Sequence, residues 1–342
     1  MDATRITFRD YPAGPVGPHT FSVERTSLRK LEPGEALIEN IYATVDPAQS
    51  RRMRQYENYI APFRPGDLIT GLAVGQVVES RSDVLKVGDF WTHWGGWETH
   101  SIVTPPQCEG PLGQRADPAI AQISDYLGPL GGKGITAWIA VDLLGGPVSG
   151  QTVLVSAAAG AVGSIAGQLA RASGANRVVG IAGGADKCAT LVDHLGYDAA
   201  IDRHAGRIED MLDTTLPDGI DLYVDNVGGA LQGAVMERMR QFGRVVITGT
   251  VSEYGLDQPP PGPNLFVTVR RGFSIHGFLA TQYYDRFETF RSQMIDHLAT
   301  GRVRPVHDIV QGLENAGEAM AGMLAGNNLG QRLIQIAEDP TA

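Results

Sequence analysis

The chain has 342 residues, 43% of them hydrophobic and 19% charged, a globular composition with room for about two domains. Its net charge of −10 argues against nucleic acid or an anionic membrane as the main partner. The two cysteines, Cys108 and Cys188, are too few for a disulfide framework or a four-cysteine zinc lobe.

A reducing, cytoplasmic setting is the expectation that follows. Met1–Asp10 carries no apolar targeting core, and no run is long enough to span a bilayer.

Up to about Gly128 the apolar segments are short and punctuated by Pro and Gly, as in Ala36–Tyr42, Val74–Val78 and Trp97–Val103. This spacing predicts a β-rich domain of the partly open barrel kind. From Gly128 the texture changes. Ile135–Leu144 has helical spacing and is stopped by Gly145-Gly146-Pro147. Strands are then predicted at 152–156, 177–181, 198–202, 220–225, 243–249 and 272–278. Helices are predicted at 161–173, 185–195, 206–213 and 230–241. Alternation of this kind predicts an α/β fold with a doubly wound, six-stranded parallel sheet. The connection from Gly249 to Arg271 is Pro-rich, notably over Asp257–Pro263, and reads as a functional loop or a rigid connector. Beyond a helix near 284–299, Val306–Val310, a helix over Asn315–Leu324 and Gln331–Ile336 form a β-α-β coda. On spacing alone, the coda could extend the sheet or return to the first domain.

Within this alternation, Val153-Leu-Val-Ser156 ends in Ala157-Ala-Ala-Gly160-Ala161-Val162-Gly163 and opens a helical pattern. Strand, small-residue turn and helix in that order place helical N–H groups and a helix dipole where an anion such as a pyrophosphate binds. Ala157, Gly160 and Gly163 stand at the three fingerprint positions, the first of them alanine. Tight helix–strand packing also demands small residues, so the turn alone does not separate binding from packing.

The second predicted strand supplies the next constraint. A carboxylate at its end normally receives the adenosine ribose diol. Here Ala182-Gly-Gly-Ala185 follows instead, then Asp186 and Lys187, and Arg203 follows the third strand. Without the acid, repulsion against a 2′-phosphate is removed, and Lys187 and Arg203 are the cations to pair with it. NADP(H) is the cofactor this pattern favours; a lysine capping a solvated helix face is the plainer reading of Lys187.

Other chemistries are poorly served. His93, Glu98, His100 and Cys108 are the nearest zinc-ligand candidates, but they are spread over a turn and a strand, and no metal is expected. Gly272-Phe-Ser-Ile-His276 lacks the second glycine of a hydrolase elbow. Glu209 and Asp210 have the spacing of solvated charge on a helix.

The chain resembles the zinc-free medium-chain dehydrogenase/reductases, specifically the prostaglandin/leukotriene reductase, curcumin reductase and plant double-bond reductase group. The resemblance runs along nearly the whole chain. It is carried by Val45-Asp-Pro47 with Arg51-Arg-Met53, Gly71–Ser80, Gly95-Gly-Trp97, Val155–Gly163, Gly180–Cys188, Asp225-Asn-Val-Gly-Gly229, Asn264-Leu-Phe266, Gly277-Phe278 and Gly326–Gly330. It implies a GroES-like substrate and catalytic domain, 1–128 with 303–342, and an inserted Rossmann NADP(H)-binding domain, 129–302. It also implies NADPH-dependent reduction of α,β-unsaturated ketones or aldehydes by a homodimer. Gly160, Ala161, Val162 and Gly163 match the pyrophosphate turn, and Lys187 the 2′-phosphate lysine. Asn226 and the loop from Thr248 and Gly249 to Tyr254 match the nicotinamide side. Phe278 and Leu279 match a stretch at the carboxamide, and Asn328 an asparagine of the returning coda. Tyr254 matches a tyrosine that hydrogen-bonds the substrate carbonyl, and Tyr59 another pocket tyrosine. Both can equally be wall area.

Departures from the group are Arg203 for a tyrosine, Ala48-Gln49-Ser50 after Asp46-Pro47, Gly132-Lys133-Gly134 for Met-Pro-Gly, and Gln331 for a lysine. They leave the cofactor site intact and bear on the substrate. Two alternatives stand beside this reading: a quinone reductase of the neighbouring zinc-free group, and an NADP(H)-binding protein without useful turnover.

Overall fold

The structure, a computed structural model, describes residues 2–342 apart from 56–59, 109–112, Asp257 and Pro259. The chain forms two compact units, Met1–Gly132 with His307–Ala342, and Lys133–Val306.

The first unit opens with β1 (Asp2–Phe8) and β2 (Phe21–Ser27), an antiparallel pair of their own. Then come β3 (Ala36–Thr44), α1 (Pro47–Arg51), β4 (Leu72–Ser80), β5 (Phe90–Trp94), β6 (His100–Val103) and β7 (Arg115–Ala116). β3 is the hub and is buried along almost its whole length. It pairs antiparallel with β4 through two register shifts, irregularities that bend a sheet toward closure. At Gly75 on β4 an added Cβ would lie 2.1 Å from Glu39 O, so only glycine permits that approach of the two backbones. The core beneath gathers Ile6, Phe8, Met53, Phe63, Trp97, Met320 and Ile334. Trp97 is fully buried, and its indole N–H donates to Thr44 O at 2.9 Å, which satisfies its one polar atom.

In the second unit the helix predicted over 135–144 is α2 (Gly132–Trp138), continuing as a π turn over Ile139–Leu143. The alternation then runs β8 (Thr152–Val155), α3 (Ala161–Ala172), β9 (Arg177–Ala182), α4 (Ala185–Asp193), β10 (Ala199–Asp202) and α5 (Ile208–Thr215). It goes on through β11 (Ile220–Asp225), α6 (Gly229–Met236), β12 (Met239–Ile247), α7 (Phe266–Arg271), β13 (Ser274–Gly277) and α8 (Phe287–Ala299). Among the described residues the six strands form one parallel sheet in the order β10-β9-β8-β11-β12-β13. The direction of winding reverses between β8 and β11, the place where such sheets bind ligands. Every residue of β8 is buried, as expected of a strand covered on both faces.

One segment departs from expectation. Helix was predicted to 241, but α6 ends at Met236 and Met239 already pairs with Ile220. Met236 and Met239 are both buried, and their three-residue spacing imitates a helical stripe across the turn. The strand then shifts register, and Phe242 takes φ +63°. Helix α7 was also not foreseen within the Pro-rich connection.

The coda is β14 (His307–Gln311), α9 (Ala316–Leu324) and β15 (Gln331–Gln335). β14 and β15 pair in parallel, and β15 pairs antiparallel with β3 at Tyr42–Thr44. The coda therefore adds β15 and β14 to the sheet of β3.

Candidate cofactor and active site

At the carboxyl end of β8 the chain turns through Ala157, which takes φ +45°, the conformation that fits glycine best. Gly160 caps α3 in an extended conformation and donates its N–H to Ala157 O at 2.9 Å. The first bond of the helix runs from Ser164 N to Gly160 O, so the N–H groups of Ala161, Val162 and Gly163 have no partner within the helix. No acid occupies the first turn of α3. These are the conditions for holding an anion. Gly163 has a packing role as well: a Cβ there would lie 2.4 Å from Ala157 O and 2.7 Å from Ala158 Cα.

Past β9 and β10, two turns are fastened together by one carboxylate. Asp202 Oδ1 accepts from Gly184 N at 2.8 Å and from His204 N at 3.0 Å. These two backbone donors, and then the nearby His204 and Arg203, hold the Asp202 carboxyl below its ordinary range. Arg203 N donates to Ala182 O at 2.9 Å. Lys187 lies in the first turn of α4 and is half-buried, while Arg203 is exposed.

At the end of β11 a fully buried carboxylate organises the next loop. Asp225 Oδ1 accepts from Ser156 Oγ, Tyr223 Oη, Val227 N and Gly228 N, and Oδ2 from Gln232 Nε2, all within 3.1 Å. Burial and the adjacent carboxylate push the Tyr223 phenol up, so it remains a donor. Asn226 is held beside this cluster: its backbone N–H donates to Ser156 Oγ at 2.9 Å and its Nδ2 to Ser156 O at 2.7 Å.

The loop after β12 docks on the same turn. Val251 N and Ser252 N donate to Asn226 O and Val227 O. Gly228, at φ +71°, would bring a Cβ within 2.9 Å of Thr250 Cγ2. Tyr254 is half-buried, and its hydroxyl stands 3.1 Å from where a Cβ of Gly249 would be. After β13, the Phe278 ring meets the Tyr283 ring edge-on at 6.1 Å, and Leu279 N donates to Gln282 Oε1 at 3.1 Å.

The structure thus places Gly160, Ala161, Val162, Gly163, Lys187, Arg203, Asn226, Thr248, Gly249, Tyr254, Phe278 and Leu279 in loops or first helical turns that follow the six strands of one sheet. Asn328 belongs to the first unit, where its Nδ2 donates to Gly330 O at 2.9 Å. Tyr59 lies outside the described residues. Ser156, Tyr223, Asp225 and Gln232 were not singled out from sequence. The available signal was a polar residue ending each of two apolar strands, Val-Leu-Val-Ser156 and Leu-Tyr-Val-Asp225.

The zinc-ligand candidates are engaged elsewhere. His93 lies on β5 rather than in a loop and is fully buried. Asn40 Nδ2 donates to Glu98 O and Ser101 Oγ, so Asn40 Oδ1 accepts from His93 Nε2 at 2.8 Å. Ser101 Oγ in turn donates to Glu98 Oε1 at 2.6 Å. Among the described residues no three His, Cys, Asp or Glu side chains are grouped to hold a metal ion.

Comparison with known proteins agrees with this geometry. Residues 4–110 match the family described as the N-terminal domain of oxidoreductase, and residues 161–300 the family described as zinc-binding dehydrogenase. The chain is 32% identical over 340 residues to an NADP(+)-dependent 2-alkenal reductase of Nicotiana tabacum, covering 98% of each chain. It is 32% identical over 334 residues to the NADPH-dependent curcumin reductase of Escherichia coli (strain K12), covering 96% of this chain and 95% of that one. The crystal structure of CurA with NADPH from Vibrio vulnificus superposes with a TM-score of 0.91 at 31% identity, over 98% of this chain and 100% of that one. The chain belongs to the zinc-free medium-chain dehydrogenase/reductases, in the group that holds the 2-alkenal and curcumin reductases.

Proposed function

We propose that the protein is an NADPH-dependent oxidoreductase that reduces the C=C bond of α,β-unsaturated ketones or aldehydes without zinc. The observation that carries the cofactor is the edge of the six-stranded sheet. Its central helix N-terminus is free of acid and side-chain cap, the Asp202 carboxylate at the adjacent turns is committed to two backbone N–H groups, and Arg203 lies beside it. These residues fit a dinucleotide bearing a 2′-phosphate. Gly160–Gly163 would hold the pyrophosphate, Lys187 and Arg203 the 2′-phosphate, and Asn226, Thr248, Gly249, Phe278 and Leu279 the nicotinamide end. The second unit is then the NADP(H)-binding domain and the first the substrate domain.

NADPH, when bound, supplies a hydride to the β-carbon of the substrate. Negative charge then develops on the substrate carbonyl oxygen, and a hydrogen-bond donor aimed at that oxygen lowers the barrier. Tyr254 is our choice for that donor, with Tyr59 as a second pocket tyrosine. Protonation of the enolate at the α-carbon, by water or through a tyrosine, completes the reduction.

We further propose a cytoplasmic homodimer. Among the described residues no helix is long and apolar enough to cross a membrane. β13 ends the sheet, and Leu265, Phe266 and Val269 on and beside α7 are 61%, 65% and 73% exposed, an apolar surface that a second copy can cover.

The deciding experiment follows NADPH oxidation with a panel of enals, enones and one quinone. Turnover on the enals or enones is expected. No oxidation with any of them overturns the reading, and turnover on the quinone alone replaces it with a quinone reductase.

A further inference from the structure

Resting on the NADPH reading above, we propose that His204 is a further specificity-determining residue of the 2′-phosphate site, donating from its imidazole to the phosphate alongside Lys187 and Arg203.

The argument begins with the backbone. β9 and β10 pair in parallel as far as Asp202 opposite Ala182. The chains then stay together: Arg203 N donates to Ala182 O, and one oxygen of Asp202 takes the N–H groups of both Gly184 and His204. This leaves Gly183 facing the two residues that follow β10. A Cβ built on Gly183 would lie 2.9 Å from Arg203 Nε and 2.9 Å from His204 Nε2. Side chains of successive residues ordinarily diverge. Here both converge on the bare Cα of one glycine.

Electrostatics give the convergence a purpose. Both side chains are exposed, and among the described residues neither the Arg203 guanidinium nor the His204 ring makes a hydrogen bond. The Asp202 carboxylate, which both side chains influence, already accepts two backbone hydrogen bonds. Two nitrogen-bearing side chains meeting over a glycine, where dinucleotide folds usually carry an acid, suit a dianionic phosphate monoester. Gly183 is then required for its lack of a side chain: any larger residue displaces both donors.

The test uses the full-length protein, calorimetric titration with adenosine 2′,5′-bisphosphate and adenosine 5′-monophosphate, and KM values for NADPH and NADH. His204→Ala is expected to weaken the bisphosphate by roughly fivefold to twentyfold, the loss of one hydrogen bond to a charged group at an exposed site. The monophosphate and the KM for NADH should not move, and the KM for NADPH should rise with the bisphosphate Kd. His204→Gln, which keeps a donor, should recover part of the loss, and Gly183→Ala, which displaces both Arg203 and His204, should weaken the bisphosphate at least as much as His204→Ala. Equal weakening of both nucleotides by His204→Ala, or no change in their ratio, overturns the assignment of His204. If the wild-type protein itself binds the two nucleotides equally, the NADPH reading falls and this assignment falls with it. A wild type that discriminates, beside an unaffected His204→Ala, removes His204 alone.

Discussion

The Thr248 hydroxyl lies 2.6 Å from Asn226 Oδ1, and this contact completes the fixing of the Asn226 amide. Asp225 O, 3.0 Å from the same hydroxyl, already receives the Thr248 N–H at 2.8 Å, so the single hydroxyl proton goes to Asn226. With Nδ2 on Ser156 O, both ends of the amide are assigned. Thr248→Val removes the donor at nearly constant volume. It should raise the KM for NADPH by about threefold to tenfold, the worth of one neutral hydrogen bond, while the melting temperature stays within a few degrees. Steady-state kinetics and a thermal melt check both halves.

Asp225 beneath it carries more of the fold's stability. Asp225→Ala leaves five donors, most of them buried, without their acceptor and should cost roughly 3–5 kcal/mol. Asp225→Asn keeps an oxygen for the Oδ1 donors and should cost less. Urea unfolding measures both; a loss below about 1 kcal/mol for the alanine variant would show that the donors find other partners.

For Lys187 the expectation is selective. Lys187→Ala should raise the KM for NADPH about tenfold or more and leave that for NADH nearly unchanged. A parallel rise in both would return Lys187 to the role of a helix-face charge.

Tyr254→Phe tests the chemistry itself. Removing one donor to a developing oxyanion typically costs around 10²–10³ in kcat. If kcat with an enone stays within a fewfold, Tyr254 serves as pocket wall.

His93 gives a prediction in pH. Burial holds it neutral, pushed down to about 4 from an ordinary 6.5. The unfolded chain therefore binds a proton at a higher pH than the folded one. The contribution of neutral His93 is complete above pH 6.5 and is lost as pH falls toward 4, by up to about 3 kcal/mol. Chemical unfolding across that window should show the slope in the wild type and a flatter profile in His93→Gln.

The strand–helix alternation from 152 to 277 was legible because each buried strand is a short apolar run closed by glycine or a polar residue. The reading failed where Met236 and Met239 carried helical spacing across a turn, since the three-residue interval is shared by a helix and by two elements packed on one core. His93 read as a turn residue because Gly95-Gly96 follows it closely. Its burial depends on Asn40, 53 residues earlier, a partnership that spacing cannot reveal. The small-residue turn at Ala157–Gly163 was legible as pattern, but the Asp225 cluster was not. A carboxylate with five donors and one on a solvated edge have the same letter in the sequence.

The pairing of β15 with β3 joins Leu333 to Thr44, with consequences for how the protein is made. Tyr42–Thr44 emerges from the ribosome roughly 290 residues before its partner, a wait of about 15–60 s at ordinary synthesis rates. During that interval the inserted unit can fold by itself, while the first unit presents an unfilled strand edge that invites pairing with another chain. Nascent chains stalled before β15 should therefore show a protease-resistant Rossmann unit attached to a protease-sensitive first unit. Chaperone demand should fall once Gln331–Gln335 has been released.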